Sequence, residues 1–303
     1  MIYTLTLNPS VDYIVGLQQV QLGELNRTEN EAKFPGGKGI NVSRVLKRMG
    51  ISSRVFGFIG GFTGNYIEKY LRNENIETDF VQVDEDTRIN IKIKSSNETE
   101  INGMGPAISN KALLQLKQKI SELSSEDLLV LAGSIPSALP STTYEELVGI
   151  CSENGTSVVV DAEGELLKKV LPYRPFLIKP NHHELGELFE TSFSKVEEVI
   201  PYGKKLLEMG AKNVIVSFAD KGAVLITENG AYLATVPKGE VKSSVGAGDS
   251  MVAGFLAAYE KDKDKEKAFR YSVASGSATA FSLGLCTSEK ADDLLPQISI
   301  RRY

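Results

Sequence analysis

The chain has 303 residues, 42% hydrophobic and 24% charged, with a formal net charge of −5. That length and balance support a large buried core in one or two domains and exclude a disordered or fibrous chain. The acidic balance, without a long basic run, points away from nucleic acid and anionic membrane as partners, though it permits a local basic pocket. The opening MIYTLTLNPS lacks a charged segment followed by a long apolar core, so no secretory signal is expected. No apolar run approaches the ~20 residues that span a bilayer. Cys151 and Cys286 are far apart in apolar surroundings and read as buried free thiols, which fits a reducing cytoplasm. His182 and His183 are the only histidines. Adjacent side chains on a helix are not expected to face one another, and no third ligand supports a zinc site.

In chain order, IYTLTL reads as a strand. Val42, Val45, Leu46 and Met49 then recur at helical spacing, with Gly50 as a natural helix terminator. RVFGFIG is the next strand and NYIEKYLRNE the next helix. DLLVLAGS, SVVVDAE, FLIKPN and NVIVSFA are short, nearly continuous apolar runs with helical segments between them. One such segment, TTYEELVGICSENG, spaces Thr142 and Glu145 as a capping box and ends at Gly155. Strands apolar on both faces belong to a parallel sheet covered by helices on each side, so the expected fold is a doubly wound α/β domain. Two regions break the alternation. Neither 11–34 nor 87–101 shows a clear helix, and TRINIKIKSSNETEIN alternates around a polar turn like a hairpin with one buried face. These segments are expected to form a small projecting β-sheet over a pocket or another subunit. We expect one domain over 1–303 with a lid built from about 11–34 and 87–103.

The pattern GxxxxGK[ST] is absent, and GxGxxG does not follow the first strand, so a P-loop enzyme or dinucleotide-binding protein is disfavoured. SSVGAGDSMVAGF is more specific. Its small residues let backbone N–H groups approach a ligand, and the helix that follows presents unpaired N–H groups and a partial positive charge. That is a site for the charge on a transferring phosphoryl group. Asp249 in the first turn is then either a favourable helix-terminal acid or a general base for an attacking hydroxyl. FPGGKGINVSR repeats the device with Lys38 and Asn41. In FLIKPNHHELGE, Asn181 and Glu184 share a helical face, either to position magnesium-bound water or to form a capping box.

Taken together, PGGKGINVSRVLKRMG, IKPNHHELGE, VIVSFADKGAV and SVGAGDSMVAGF resemble the signatures of the ribokinase-like sugar kinases, the PfkB family, in order along essentially the whole chain. The resemblance implies a ribokinase-like fold with a β lid, ATP and magnesium, and a homodimer formed through the lid. A monovalent cation such as K⁺ near Ser243, Val245 and Gly284 is also implied. On this likeness Gly246, Ala247 and Gly248 hold the transferring phosphoryl and Asp249 is the base. Asp12, Gly37 and Asn41 contact the sugar; Lys38 and Arg88, with Arg27 behind them, lie near the phosphate already on it. Lys179, Ser217, Gly222, Ser244 and Gly248 contact the nucleotide, and Asn181 and Glu184 associate with magnesium. NPSVDYIV, DTRINIKI, ETEINGMGPAIS and GSIPS look most like the branch acting on fructose 1-phosphate, with branches acting on tagatose 6-phosphate or fructose 6-phosphate as alternatives. GSIPSALP lacks a glycine found in many relatives, and Glu24 stands where some carry a basic residue. A non-catalytic sugar-phosphate sensor is the competing reading, although a sensor has no need of the acid at Asp249.

Overall fold

The computed structural model describes residues 1–303 and consists of two sheets and ten helices. The chain opens with β1 (Ile2–Thr6), β2 (Ser10–Gly16), β3 (Asn30–Gly36), α1 (Lys38–Arg48), β4 (Ser53–Ile59) and α2 (Gly61–Asn73). Short strands β5 (Glu77–Thr78) and β6 (Val81–Gln82) follow, then the hairpin β7 (Arg88–Lys94) and β8 (Glu98–Asn102), and α3 (Asn110–Ser121). The central alternation is β9 (Leu128–Ala132), α4 (Thr143–Glu153), β10 (Ser157–Asp161), α5 (Gly164–Val170), β11 (Leu177–Ile178), α6 (His182–Leu188) and α7 (Ile200–Glu208). It closes with β12 (Asn213–Ser217), β13 (Ala223–Thr227), β14 (Gly230–Ala234), α8 (Ala247–Asp262), α9 (Lys265–Ala280), α10 (Ser288–Leu294) and β15 (Ile300–Arg302).

The large sheet runs β15-β14-β13-β12-β11-β10-β9-β1-β4-β5, with β6 also on β4. From β12 to β4 the pairing is parallel; β12 through β15 pair antiparallel at one edge. The apolar runs explain this layering. In β9, Leu129 and Leu131 enter one core while Leu128, Val130 and Ala132 enter another, and β10, β12 and β13 divide the same way. Each strand therefore buries both faces. One face packs on α3 through α7, the other on α1, α8, α9 and α10. Between α8 and α9 the packing is close. A methyl group on Gly276 would lie 2.5 Å from Met251 Cγ, and one on Gly254 would strike Ser275 Oγ. That contact braces α8, the element that carries Asp249.

The second sheet has the order β3-β2-β7-β8, with β2 and β7 parallel and the outer pairs antiparallel. Period-2 alternation splits its faces. Arg88, Asn90, Lys92, Glu100 and Asn102 line the central cavity. Ile89 and Ile101, on the opposite face, are 42% and 55% exposed. So the polar face looks inward, and the apolar face is buried at Val11 and Val15 of β2 but left uncovered at Ile89 and Ile101.

Two local expectations are corrected. The capping box at Thr142 and Glu145 does not form. The Thr142 hydroxyl donates to Glu146, one residue further on, and α4 begins without a side-chain cap. The rings of His182 and His183 do meet, with centroids 3.9 Å apart. They occupy the first turn of α6, where no preceding turn restricts their rotamers. His182 is also stacked 4.1 Å from Phe218, and its Nδ1 is buried without a partner.

Candidate active site

The carboxyl ends of the parallel strands meet around a cavity of about 1260 Å³, where ligands bind in open α/β sheets. Its walls include Thr6 from β1, Ala132 from β9, Asp161 from β10 and Ser217 from β12. The first turns of α1, α6 and α8 also line it.

At the deepest of these, Gly246 caps α8 with φ +77°, a left-handed conformation open to glycine at little cost. Ala247 N–H turns back to the Ser244 carbonyl at 3.2 Å, and Ser250 N–H reaches Gly246 O at 2.9 Å. The N–H groups of Gly246, Gly248 and Asp249 have no acceptor in the chain. Of the three small residues, Ala247 thus gives its donor to the loop, and Asp249 adds its own to the site. Lys179 completes the electropositive corner: its ammonium would lie 3.1 Å from a methyl group on Gly248.

Asp249 is buried, and its Oδ2 accepts from Asn41 Nδ2 at 2.8 Å. Burial pushes its carboxyl up to about 6; the Asp161 charge adds to the rise, while Asn41, Lys38 and Lys179 oppose it. Such a value suits a group that must accept a proton near neutrality. Asp161 is the organiser that the sequence did not announce. Almost fully buried, it lies 3.6 Å from Lys38 Nζ and 3.4 Å from Lys179 Nζ. Its signal was an acid at the carboxyl end of an apolar strand, in SVVVDAE.

Lys38 is held by Asp161 and by Glu163 at 3.7 Å, on the large-sheet wall of the cavity rather than against the second sheet. Burial pulls its ammonium down, but Asp161, Asp249, Glu184 and Glu163 outweigh that and set it above the usual lysine value. Arg88 lines the lid side, where three of its N–H groups donate to Asn8 O, at 3.2 and 2.9 Å, and to Gly103 O at 3.1 Å. One N–H on each terminal nitrogen remains for an anion. Desolvation lowers the Arg88 pKa. Arg27 is exposed between β2 and β3 and does not line the cavity.

Asn181 and Glu184 form a full capping box at α6. Asn181 Oδ1 accepts from His183 and Glu184 N–H at 2.8 and 2.9 Å, and Glu184 Oε2 accepts from Asn181 N–H at 2.7 Å. The Asn181 amide oxygen is therefore used by the cap, and its amide N–H groups are what it can offer a ligand. Glu184 keeps Oε1 uncommitted, and burial raises its carboxyl. Ser217, Gly222, Ser244, Asp12, Gly37 and Asn41 also line the cavity. Besides Asp161, the sequence reading passed over Asn90 and Lys92. Both follow from the alternation in RINIKIK once Arg88 is placed inward.

Comparison with known proteins resolves the class of chemistry. The model of the pfkB family carbohydrate kinases matches residues 5–292. The chain belongs to the pfkB family of carbohydrate kinases. It is 55% identical to the 1-phosphofructokinase of Bacillus subtilis over 302 residues, covering 100% of both chains. It is 40% identical to the D-tagatose-1-phosphate kinase of Bacillus licheniformis, covering 99% of each. Phosphofructokinase-2 of Escherichia coli, solved with substrates and products, superposes with a TM-score of 0.93 at 28% identity, covering 98% of each chain. The same enzyme has been solved with potassium and as a tetrameric inhibited form. As a carbohydrate kinase of this family, the chain has its doubly wound fold accounted for. No helix is long and apolar enough to cross a membrane.

Proposed function

We propose that the chain transfers the terminal phosphoryl group of MgATP to the 6-hydroxyl of D-fructose 1-phosphate, giving fructose 1,6-bisphosphate and ADP. The observation that carries this reading is Asp249, a buried carboxylate of raised pKa beside three unpaired N–H groups at a helix N-terminus. Asp249 takes the hydroxyl proton as the sugar oxygen bonds to phosphorus and the bond to ADP breaks. Asn41 fixes the carboxylate meanwhile, and the N–H groups of Gly246, Gly248 and Asp249 receive the charge on the phosphoryl oxygens. Lys38 and Lys179, steered by Asp161, neutralise charge at the same end. Ser217, Gly222 and Ser244 lie where the rest of the nucleotide would run.

No three His, Cys, Asp or Glu side chains are grouped to hold a metal ion. That suits magnesium, which keeps several waters and is carried on phosphates with one or two carboxylates. Glu184, through Oε1, fits that part better than Asn181. When bound, magnesium offsets phosphate charge and aligns the nucleotide. A monovalent cation held by backbone near Ser243, Val245 and Gly284 belongs to the same reading, with the potassium complex of the Escherichia coli enzyme as support.

The permanent phosphate of the sugar faces Arg88, and Asp12, Gly37 and Asn41 face its hydroxyls. The β2-β3-β7-β8 sheet is the lid. Its uncovered apolar face, with Ile89 and Ile101, pairs with the same face of a second copy. Light scattering at micromolar concentration is expected to give a dimer; a monomer would remove this assembly. Competition among fructose 1-phosphate, tagatose 1-phosphate, tagatose 6-phosphate and fructose 6-phosphate with MgATP tests the substrate. Fructose 1-phosphate should show the highest kcat/KM. A higher value for another sugar phosphate reassigns the acceptor.

A further inference from the structure

Asp12 sits on β2 opposite Asn90 of β7, and Lys92 of β7 sits opposite Glu100 of β8. All four side chains line the cavity. Asp12 Oδ1 is satisfied by the Ser10 hydroxyl at 2.7 Å and by Asn90 Nδ2 at 3.2 Å. Its Oδ2 faces Lys92 Nζ at 3.9 Å. That gap is too long for a direct hydrogen bond and short enough for one oxygen atom to bond to both groups. Lys92 Nζ also pairs with Glu100 Oε1 at 3.0 Å, which competes with Asp12 for the ammonium, and the lysine side chain is only 11% exposed. The result is an acceptor and a cationic donor side by side on the inner wall of the lid, 3.9 Å apart, so that one oxygen atom set over the pair can bond to both.

We propose that Lys92 is a specificity-determining residue for the acceptor sugar: with Asp12 it brackets one secondary ring hydroxyl, which donates to Asp12 Oδ2 and accepts from Lys92 Nζ. This rests on the reading of the chain as a ketohexose-phosphate kinase. A hydroxyl of one configuration fills the bracket. The epimeric hydroxyl points elsewhere and leaves a partly buried carboxylate and a buried ammonium unbridged, which is how polar sites reject near-isosteres. Fructose and tagatose phosphates differ only in the configuration at carbon 4, so the bracket discriminates between them.

The test is steady-state kinetics of wild type, Lys92→Met and Glu100→Gln, with fructose 1-phosphate and tagatose 1-phosphate varied at saturating MgATP and with ATP varied at saturating sugar phosphate. Lys92→Met is expected to lower kcat/KM for fructose 1-phosphate about ten- to a hundredfold, mainly through KM. It should also narrow the preference between the two epimers at least about threefold, with KM for ATP changed by less than about twofold. Glu100→Gln removes the competing carboxylate. It should keep the epimer preference, with a KM for fructose 1-phosphate equal to or below that of wild type. Equal losses on both epimers in Lys92→Met, or a raised KM in both variants, would reduce Lys92 to a brace of the lid and overturn the proposal. A wild type that does not phosphorylate fructose 1-phosphate would instead bring down the acceptor assignment, and this inference with it.

Discussion

Asp249→Asn will lower kcat by about 10²–10⁴, the usual cost of losing a general base, and will raise the unfolding midpoint at neutral pH. The two effects share one cause. A rise of the carboxyl from 3.8 to about 6 means that burial disfavours its ionised form. Stability contributed by this group is complete below the unfolded value and is lost as pH rises through about 6. At about 1.4 kcal/mol per pH unit, a rise of roughly two units corresponds to about 3 kcal/mol at pH 7. Asparagine is isosteric and neutral, so it escapes that cost. Melts of the two proteins should nearly coincide near pH 4 and separate by a few degrees near pH 7.5, the variant being the more stable. In the wild type, kcat/KM should fall on the acid side with an apparent pKa near 6. Near wild-type turnover in the variant would remove Asp249 as base; unchanged melting at both pH values would remove the electrostatic account.

Gly222→Ala is the second large effect, and it separates nucleotide from sugar. Gly222 has φ +114°, a conformation that side chains rarely adopt, and a methyl group there would strike the Ala234 carbonyl of β14. Backbone cannot move aside cheaply at that point, because Ala223 and Ala234 are paired across β13 and β14. The expected destabilisation is about 2–4 kcal/mol, from conformational strain plus overpacking. Gly222 lines the cavity, and under the proposed function it lies at the nucleotide end, so KM for ATP should rise about tenfold or more while KM for the sugar phosphate stays near its wild-type value. Denaturant unfolding and a two-substrate kinetic matrix read both outcomes. A variant as stable as wild type, or one impaired equally toward both substrates, would contradict this placement.

Much of the site was legible because its chemistry is built into local sequence. The run GAGD followed by an apolar helix encodes a helix N-terminus, an anion site and an acid in one stretch, and nothing distant needs to be known. The doubly wound sheet was legible for a similar reason: VVV in β10 and VIV in β12 are apolar on both faces, which only a sheet covered on both sides satisfies. What escaped depends on partners remote in the chain. Asp161 matters because Lys38 and Lys179, far from it in sequence, converge on it. Lys38 carried a visible signal, but its direction was set by those carboxylates and by Glu163, which no local pattern specifies. At Asn181, spacing left a metal contact and a capping box open. The geometry fills the amide oxygen with two backbone N–H groups, and that saturation could not be counted from spacing. The Thr142 cap failed for the converse reason: a second glutamate in TTYEEL competes for the same hydroxyl.

The close contact of α8 on α9 has a bearing on how such a kinase diversifies. With Gly254 and Gly276 leaving no space between the two helices, Asp249 and the free N–H groups beside it are cast as one rigid block. The groups that the proposed function assigns to the acceptor sugar, Asp12, Arg88 and Lys92 among them, lie on strands of the second sheet, in 10–36 and 88–102. Heredity can therefore edit the two separately. Substitutions in the lid can retune which sugar is accepted while the transfer machinery stays fixed, and most substitutions in the block are simply lost. A lineage built this way shifts among ketohexose phosphates by small steps, each intermediate still a working kinase.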